Sequence, residues 1–126
     1  MAKLENVAPF FIVGEILPAV THYRERLGFD VTLLVPEDDP FFAIVERDAV
    51  RIMLKVTEVP PLPNPDRHPW AKWDAFVYAA DPDELAAEFT ARGVEFSDPL
   101  SDTEDGLRGF VVKDHDGYAL FFGHPR

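Results

Sequence analysis

Soon after the N-terminus, the apolar residues change from a strand pattern to a helix pattern. Val7–Val13 is a short apolar run that predicts a β-strand, and Gly14 ends it. From Ile16 to Leu27 the apolar residues recur at steps of three and four, which predicts one face of a helix. Gly28 stands where a helix C-cap belongs. The chain is therefore expected to begin with a strand followed by a helix.

Three further strands are predicted after this helix. Phe29–Val35 is rich in β-branched and aromatic residues, and a turn-forming cluster at 36–40 ends it. Phe41–Glu46 and Val50–Val56 follow as a predicted hairpin with a tight connection between them. The first half of the chain thus has the order strand, helix, strand, strand, strand.

Residues 59–72 differ from the rest of the chain in their proline content. Proline fixes φ and lacks the N–H that a helix or a central strand uses. The segment is therefore predicted to be a stiff, extended connection between two halves, and its prolines are Pro60, Pro61, Pro63, Pro65 and Pro69.

The second half repeats the order of the first. Asp81 is a suitable N-cap for a helix that ends at Gly93, and Asp116-Gly117 is a strong hairpin signal. Asp98–Gly106 is predicted to be an acidic loop. The predicted strands are Trp73–Ala80, Val94–Phe96, Arg108–Lys113 and Tyr118–Gly123.

The two halves align at nearly constant offsets. Gly28 and Gly93 are 65 residues apart, whereas Asp48 and Asp116 are 68 apart, so a short insertion lies within the second half. An internal repeat of this kind indicates the architecture. We predict one α+β domain over 1–126, built from two βαβββ modules at 1–58 and 73–126. Each module has one face of its sheet under a helix and one bare face, and the two bare faces are expected to enclose a cavity.

Composition and charge narrow the classes of function. The chain has 126 residues, of which 47% are hydrophobic, enough for one core. A formal net charge of -11 argues against nucleic acid and an anionic membrane surface as partners, and it would attract a cationic ligand. The chain has no Cys, which excludes disulfides and thiolate sites. It shows no signal-peptide pattern and no apolar run of bilayer length, so a cytoplasmic location is expected.

Motifs along nearly the whole chain resemble those of the superfamily of glyoxalases, bleomycin-resistance proteins and extradiol dioxygenases, the vicinal oxygen chelate group. Tyr23–Phe29 is similar to the family's helix end Tyr…Leu-Gly-Phe. The segment 106–118 is similar to its Gly-x-Arg-x-Phe…Asp-Pro-Asp-Gly. The resemblance implies U-shaped mixed sheets of the glyoxalase/bleomycin resistance fold. It implies no single activity, because this fold hosts many.

Metal-using members of that superfamily carry four ligands on inward strand positions, two in each module. By resemblance these positions fall on Pro9, Met53, Asp74 and Phe121. Only Asp74 could bind a hard cation, because proline and phenylalanine have no donor side chain and a thioether is a soft ligand. One carboxylate does not hold a catalytic metal ion without partners. We therefore assign no metal, no cofactor and no catalytic residue.

The same positions predict a ligand cavity. If Asp74 points inward, alternation along the strand brings Phe76 and Tyr78 to the same side. A mostly aromatic cavity with one carboxylate suits a planar, cationic ligand. Two alternatives are that the aromatic residues only fill the core, and that Asp74 pairs with Arg51 or Lys55. The predicted lining is Phe11, Met53, Trp73, Asp74, Phe76, Tyr78 and Phe121.

Within the resemblance, the missing ligand set favours the binding branch. The expected protein is a metal-free homodimer that sequesters an aromatic or cationic small molecule, as bleomycin-resistance proteins do. One alternative is a lyase or oxygenase of the same superfamily that is metal-dependent or uses Asp74 as a general base. A second alternative is a regulatory or scaffold domain, which would lack a ligand cavity.

Overall fold

The computed structural model describes residues 1–126. Its N-terminal module has the predicted order of strand, helix, strand, strand, strand. Gly28 ends the first helix in the left-handed conformation, with φ 75°, which glycine adopts without steric cost. The elements of this module are β1 (Phe10–Val13), α1 (Ile16–Leu27), β2 (Asp30–Val35), β3 (Phe42–Arg47) and β4 (Val50–Val56).

The second module repeats this order after a connection that contains one short helix, α2 (Asn64–Arg67). Asp81 caps the main helix by accepting a hydrogen bond from the Glu84 backbone N–H at 3.0 Å. None of the helices combines the length and the apolar character that crossing a bilayer requires. The elements of this module are β5 (Ala75–Tyr78), α3 (Pro82–Ala91), β6 (Asp98–Asp102), β7 (Leu107–Lys113) and β8 (Ala119–Pro125).

Each module forms one four-stranded mixed sheet. The strand orders are β1-β4-β3-β2 and β5-β8-β7-β6. In each sheet the first strand of the module pairs in parallel with the last, and the other pairs are antiparallel. The predicted α+β fold of two βαβββ modules with mixed sheets is confirmed.

The two modules pack against each other through the helix sides of their sheets. Ile52 and Leu54 of the first sheet lie in one core with Leu120 and Phe122 of the second. The opposite, bare faces point away from this core, and Phe10 on the first of them is 53% exposed. The cavity expected between the two bare faces is therefore not formed within one chain. Most apolar side chains lie on the helix sides, so joining those sides removes more apolar area from water.

The second strand of module two differs from the prediction. Val94–Phe96 is not a strand, and the Phe96 ring packs on the core with its centroid 4.7 Å from that of Phe110. The strand is β6, which pairs with β7 in the segment predicted to be an acidic loop. An edge strand tolerates proline and charged residues because one side of its backbone faces water. The hydrophobic pattern therefore did not reveal it.

Candidate functional site

Four aromatic side chains predicted to line a cavity lie together on the bare face of the second sheet. The Phe76 ring centroid is 4.9 Å from that of Phe121 and 4.6 Å from that of Tyr78. The Trp73 ring centroid is 4.7 Å from that of Phe121 and 5.5 Å from that of Phe76. Pairing of β5 with β8 sets Phe76 beside Phe121, and alternation adds Tyr78 to the same face. We call Trp73, Phe76, Tyr78 and Phe121 the aromatic cluster.

The Phe121 ring lies along the sheet because two neighbouring positions have no side chain. Gly109 and Gly123 are paired across β7 and β8, and a Cβ atom at either position would collide with this ring. Phe121 is only 3% exposed, between the glycines and the rings above it. The sequence analysis did not place the glycines in the site. Two glycines opposite each other on paired strands, next to a large aromatic residue, are the signal that could have found them.

A cavity of about 490 Å³ adjoins the aromatic cluster, between the proline-rich connection and the second sheet. Pro65 and Pro69 of the connection line one side, and Val111 and Phe121 line the sheet side. The polar residues that line this cavity are Lys72, Asp98, Ser101 and Thr103. Its lining thus combines an apolar sheet side with polar groups that could orient a small molecule.

Asp74 holds the connection onto the second sheet. Its Oδ1 accepts a hydrogen bond from the Asn64 backbone N–H at 2.8 Å, and its Oδ2 accepts one from the Ala119 backbone N–H at 2.8 Å. The alternative ion pair with Arg51 or Lys55 is not formed. Arg51 pairs with Glu46 of its own sheet at 3.0 Å. Because the modules meet through their helix sides, the bare-face residues of one sheet do not face those of the other.

Phe11 and Met53 lie apart from the aromatic cluster. Phe11 is on the helix side of β1, 6% exposed, with its ring stacked 4.3 Å from that of Tyr118. Met53 lies on the bare face of the first sheet, beside Phe10 and Ile44. The structure therefore brings Trp73, Asp74, Phe76, Tyr78 and Phe121 together in module two and leaves the two module-one residues elsewhere.

The register of the first strands moves the mapped metal positions from Pro9 to Phe10 and from Asp74 to Phe76. Phe10, not Pro9, is beside Met53, just as Phe76 is beside Phe121. The offset of 65 between the helix caps does not hold for the first strands. The segment from the first helical residue to the glycine after the helix has one residue fewer in module two, 82–93, than in module one, 16–28. No three His, Cys, Asp or Glu side chains converge on a point that could hold a metal ion. Both oxygens of Asp74 already accept backbone N–H groups, so the residues present do not fit a catalytic metal.

Tyr23 and Asp114 form a buried polar contact between the modules that the sequence analysis missed. The Tyr23 hydroxyl donates to Asp114 Oδ2 at 2.6 Å. Burial raises the pKa of Asp114 to about 6. Burial, together with the nearby carboxylate, raises the pKa of the Tyr23 hydroxyl well above its usual value. The contact fixes the two modules to each other on the side opposite to the bare faces.

Arg47 and Glu88 join the modules at a second place. Two guanidinium nitrogens of Arg47 donate to the two carboxylate oxygens of Glu88 at 2.8 and 2.7 Å, and Arg47 also donates to the Leu27 carbonyl at 2.8 Å. The hydrogen bonds from Arg47 lower the pKa of the Glu88 carboxyl. The bond to Glu88 likewise raises the pKa of Arg47. The relative position of the two bare faces is thus set by contacts within one chain.

The fold and the site together define a class: a tandem βαβββ protein with an aromatic cluster beside a cavity on a sheet face. The family model of the Glyoxalase/Bleomycin resistance protein/Dioxygenase superfamily matches residues 6–122, and the chain belongs to this superfamily. No curated protein matches this sequence.

Solved structures show the same fold over the whole chain. TioX from Micromonospora sp. ML1 has a TM-score of 0.76 and 22% identity, covering 97% of this chain and 99% of that one. The bleomycin-binding protein from bleomycin-producing Streptomyces verticillus, complexed with copper(II)-bleomycin, has a TM-score of 0.72 and 24% identity, covering 100% of both chains. A glyoxalase-related enzyme from Clostridium phytofermentans has a TM-score of 0.78 and 15% identity, covering 99% of this chain and 98% of that one. At these identities the likeness concerns the fold.

Proposed function

We propose that this chain is a metal-free binding protein that sequesters a planar aromatic small molecule. The observation that carries the proposal is the aromatic cluster beside a cavity of about 490 Å³. Aromatic rings at these distances present faces and edges on which a flat ligand can stack. The similarity to a bleomycin-binding protein supports binding as the role, and the proposal assigns no reaction.

The ligand we propose is cationic. A net charge of -11 favours the approach of a cation over that of an anion. The Lys72 ammonium already lies 6.0 Å from the centroid of the Trp73 ring, so one face of this indole accommodates a positive charge. A ligand cation would take the place of Lys72, whose exposed side chain can move into water.

We also propose that a second copy of the chain covers the bare faces. The bare face of the first sheet exposes Phe10 by 53%, Leu33 by 40% and Val35 by 38%. Contiguous apolar exposure of this kind is typical of an interface. A homodimer that sets this face against the aromatic cluster of its partner would bring Met53, on the bare face of the first sheet, to the ligand cleft. Met53 and the aromatic cluster, which lie on separate faces within one chain, would then line the same cleft.

The geometry does not favour the enzymatic alternative. A general base must lie within hydrogen-bond reach of the substrate proton that it abstracts. Both oxygens of Asp74 accept backbone hydrogen bonds at 2.8 Å, which serves to hold the connection in place. We therefore propose no catalytic role for Asp74.

Fluorescence titration with proflavine, a planar cationic acridine, tests the proposal. Replacing Trp70 by phenylalanine leaves Trp73 as the single tryptophan reporter, since the chain has two. We expect saturable quenching of Trp73 by proflavine and at least tenfold weaker binding of planar, anionic 9-anthracenecarboxylate. Phe76→Ala should weaken proflavine binding at least fivefold, while Phe96→Leu, away from the bare face, should not. Linear, non-saturable quenching would overturn the proposal.

A further inference from the structure

A second cavity, of about 440 Å³, lies at the seam between the two modules. One side is the turn between β3 and β4, at 48–49, and the other is the segment from the end of β5 to the first turns of α3. Its inner wall is apolar and includes Val50, Val77, Leu85 and Phe89. No residue lines both this cavity and the one beside the aromatic cluster. We call it the seam cavity.

The place related to the seam cavity by the internal repeat is filled. There the turn between β7 and β8 meets the beginning of α1. Asp116 Oδ1 accepts a hydrogen bond from the Gly14 backbone N–H at 2.8 Å, and the Tyr118 ring stacks on Phe11 at 4.3 Å. Side chains of the chain itself thus occupy the space on this side of the molecule.

Turn length explains the difference between the two seams. The β7–β8 turn has five residues between the paired Lys113 and Ala119. The β3–β4 turn has two residues between the paired Arg47 and Val50. At the offset of 68 the counterpart of Tyr118 is Val50, which in the shorter turn is already paired with Arg47. Its small side chain does not stack across the seam, and the space in front of α3 stays open. The seam cavity is therefore a consequence of how the two modules diverged.

The charges around the seam cavity are mostly negative. Arg47 is the single basic residue in its lining, and its guanidinium is bound to Glu88 at 2.7 Å. Asp81 and Glu84 line the cavity and have no basic partner. Asp48, also in the lining, approaches only Arg47, at 3.9 Å, with 91% of its side chain exposed. These three carboxylates outweigh the partial positive charge of about +0.5 at the N-terminus of α3.

We propose that the seam cavity is a second small-molecule site that takes an organic cation with a compact apolar body. The apolar wall would hold the body of the ligand, and the carboxylates at the rim would hold its charge. An anion of the same shape is excluded because it would approach a lining that holds four carboxylates and one guanidinium. The two cavities share no lining residue, although Tyr78 of the aromatic cluster also lines the seam cavity.

Benzamidinium is a suitable probe, with benzoate as its anionic isostere. In heteronuclear NMR of the 15N-labelled full-length protein, we expect benzamidinium to shift amide signals of residues 48–50 and 78–85 in a saturable way. Signals of residues 109–111 and 119–123 report separately on the aromatic cluster, where this planar cation can also stack. Benzoate should leave both sets unchanged.

Two variants and one control decide between specific and nonspecific binding. The double variant Asp48→Asn/Glu84→Gln keeps the shape of the seam cavity and should raise the Kd of benzamidinium at least fivefold. Ala80→Phe should block the cavity and abolish the shifts. Asp98→Asn, beside the other cavity, should leave the Kd within twofold. Equal binding of benzoate, or shifts confined to 109–123, would overturn the proposal and would leave the proflavine test of Trp73 unaffected.

Discussion

The Tyr23 hydroxyl donates a hydrogen bond to Asp114 Oδ2 at 2.6 Å, across the seam between the modules. The other oxygen of this carboxyl accepts from the backbone N–H groups of Asp116 and Tyr118 at 3.0 and 2.9 Å. One side chain therefore joins the helix of module one to the hairpin turn of module two. Because protein rather than water surrounds it, the carboxyl has a pKa raised to about 6.

Replacing Asp114 by asparagine should change how stability depends on pH. The folded protein binds the Asp114 proton more tightly than the unfolded chain, so this group stabilises the fold below about pH 4. That contribution is lost as the pH rises towards 6. The free energy of unfolding of the natural protein minus that of Asp114→Asn should fall by up to about 3 kcal/mol between pH 4 and pH 7. Urea denaturation at several pH values measures both quantities.

The difference in free energy of unfolding between the natural protein and Asp114→Asn cancels the contributions of the other titrating groups. Glu88, whose carboxyl pKa is lowered by its bonds to Arg47, destabilises the fold at low pH, but it does so equally in both proteins. A difference that is constant from pH 4 to pH 7 would contradict the prediction.

The Arg47–Glu88 pair should contribute more than the Arg51–Glu46 pair. The first pair has two parallel hydrogen bonds and joins two modules, whereas the second has one bond, of 3.0 Å, within one sheet. Allowing for screening by solvent, a double-mutant cycle to alanine should give a coupling energy of about 1 kcal/mol for Arg47–Glu88 and a smaller one for the more exposed Arg51–Glu46 pair. Chemical denaturation measures each cycle. Equal couplings would show that the bidentate geometry adds nothing.

Gly123→Ala should destabilise the protein by about 2 to 4 kcal/mol. The new Cβ atom would collide with the Phe121 ring and lie too close to the Arg108 carbonyl oxygen. Gly14→Ala is the matched control, because a Cβ there would meet its nearest neighbour, Asp116 Oδ1, at an ordinary 3.5 Å. Thermal and urea denaturation compare the variants. A loss no larger than that of the control would contradict the idea that the Phe121 ring requires this glycine.

Asp74→Asn should loosen the proline-rich connection. An amide N–H₂ group would then face one of the two backbone N–H donors, Asn64 or Ala119, and that bond would be lost at a cost of about 1 to 2 kcal/mol. Hydrogen exchange at these two amides should become faster, and proflavine quenching of Trp73 should weaken. Asp66→Asn on the exposed side of α2 should change neither. Unchanged exchange at both amides would refute this role for Asp74.

Phe10→Lys should separate the proposed homodimer into monomers. The lysine would place a charge in the apolar bare face of the first sheet, where the ring centroids of Phe10 and Phe42 are 6.3 Å apart. Leu17→Lys is the control, since Leu17 is similarly exposed, at 55%, but lies on α1. Sedimentation velocity should give a dimer for the natural protein and the control, and a monomer for Phe10→Lys. A natural protein that sediments as a monomer would rule out the dimer.

Local patterns were sufficient to predict most of the elements. The steps of three and four from Ile16 to Leu27, with Gly28 as the cap, predict α1 as it is found. The Asp81 cap likewise marks the start of α3. Strand β6 could not be predicted, because it is an edge strand held by backbone pairing with β7, and its side chains carry no periodic apolar signal.

Alternation along β5 also predicted much of the candidate site. It places Phe76 and Tyr78 on one face, and their partner Phe121 follows from the repeat. Phe11 was expected on the corresponding face of module one but lies on the helix side, because the offset from the helix caps is one residue short at the first strands. A shift of one residue moves a side chain to the other face of a sheet.

The order of residues along the chain predicts two βαβββ modules joined by a proline-rich connection, with an aromatic strand face in the second module. These properties depend on residues close together along the chain, which local periodicity, caps and turns report. Three features are visible only in the folded chain: the modules join by their helix sides, Asp74 anchors the connection, and a second cavity stays open at the seam. Those outcomes depend on which surfaces bury the most apolar area and on which distant groups meet, and no local pattern in the chain records either.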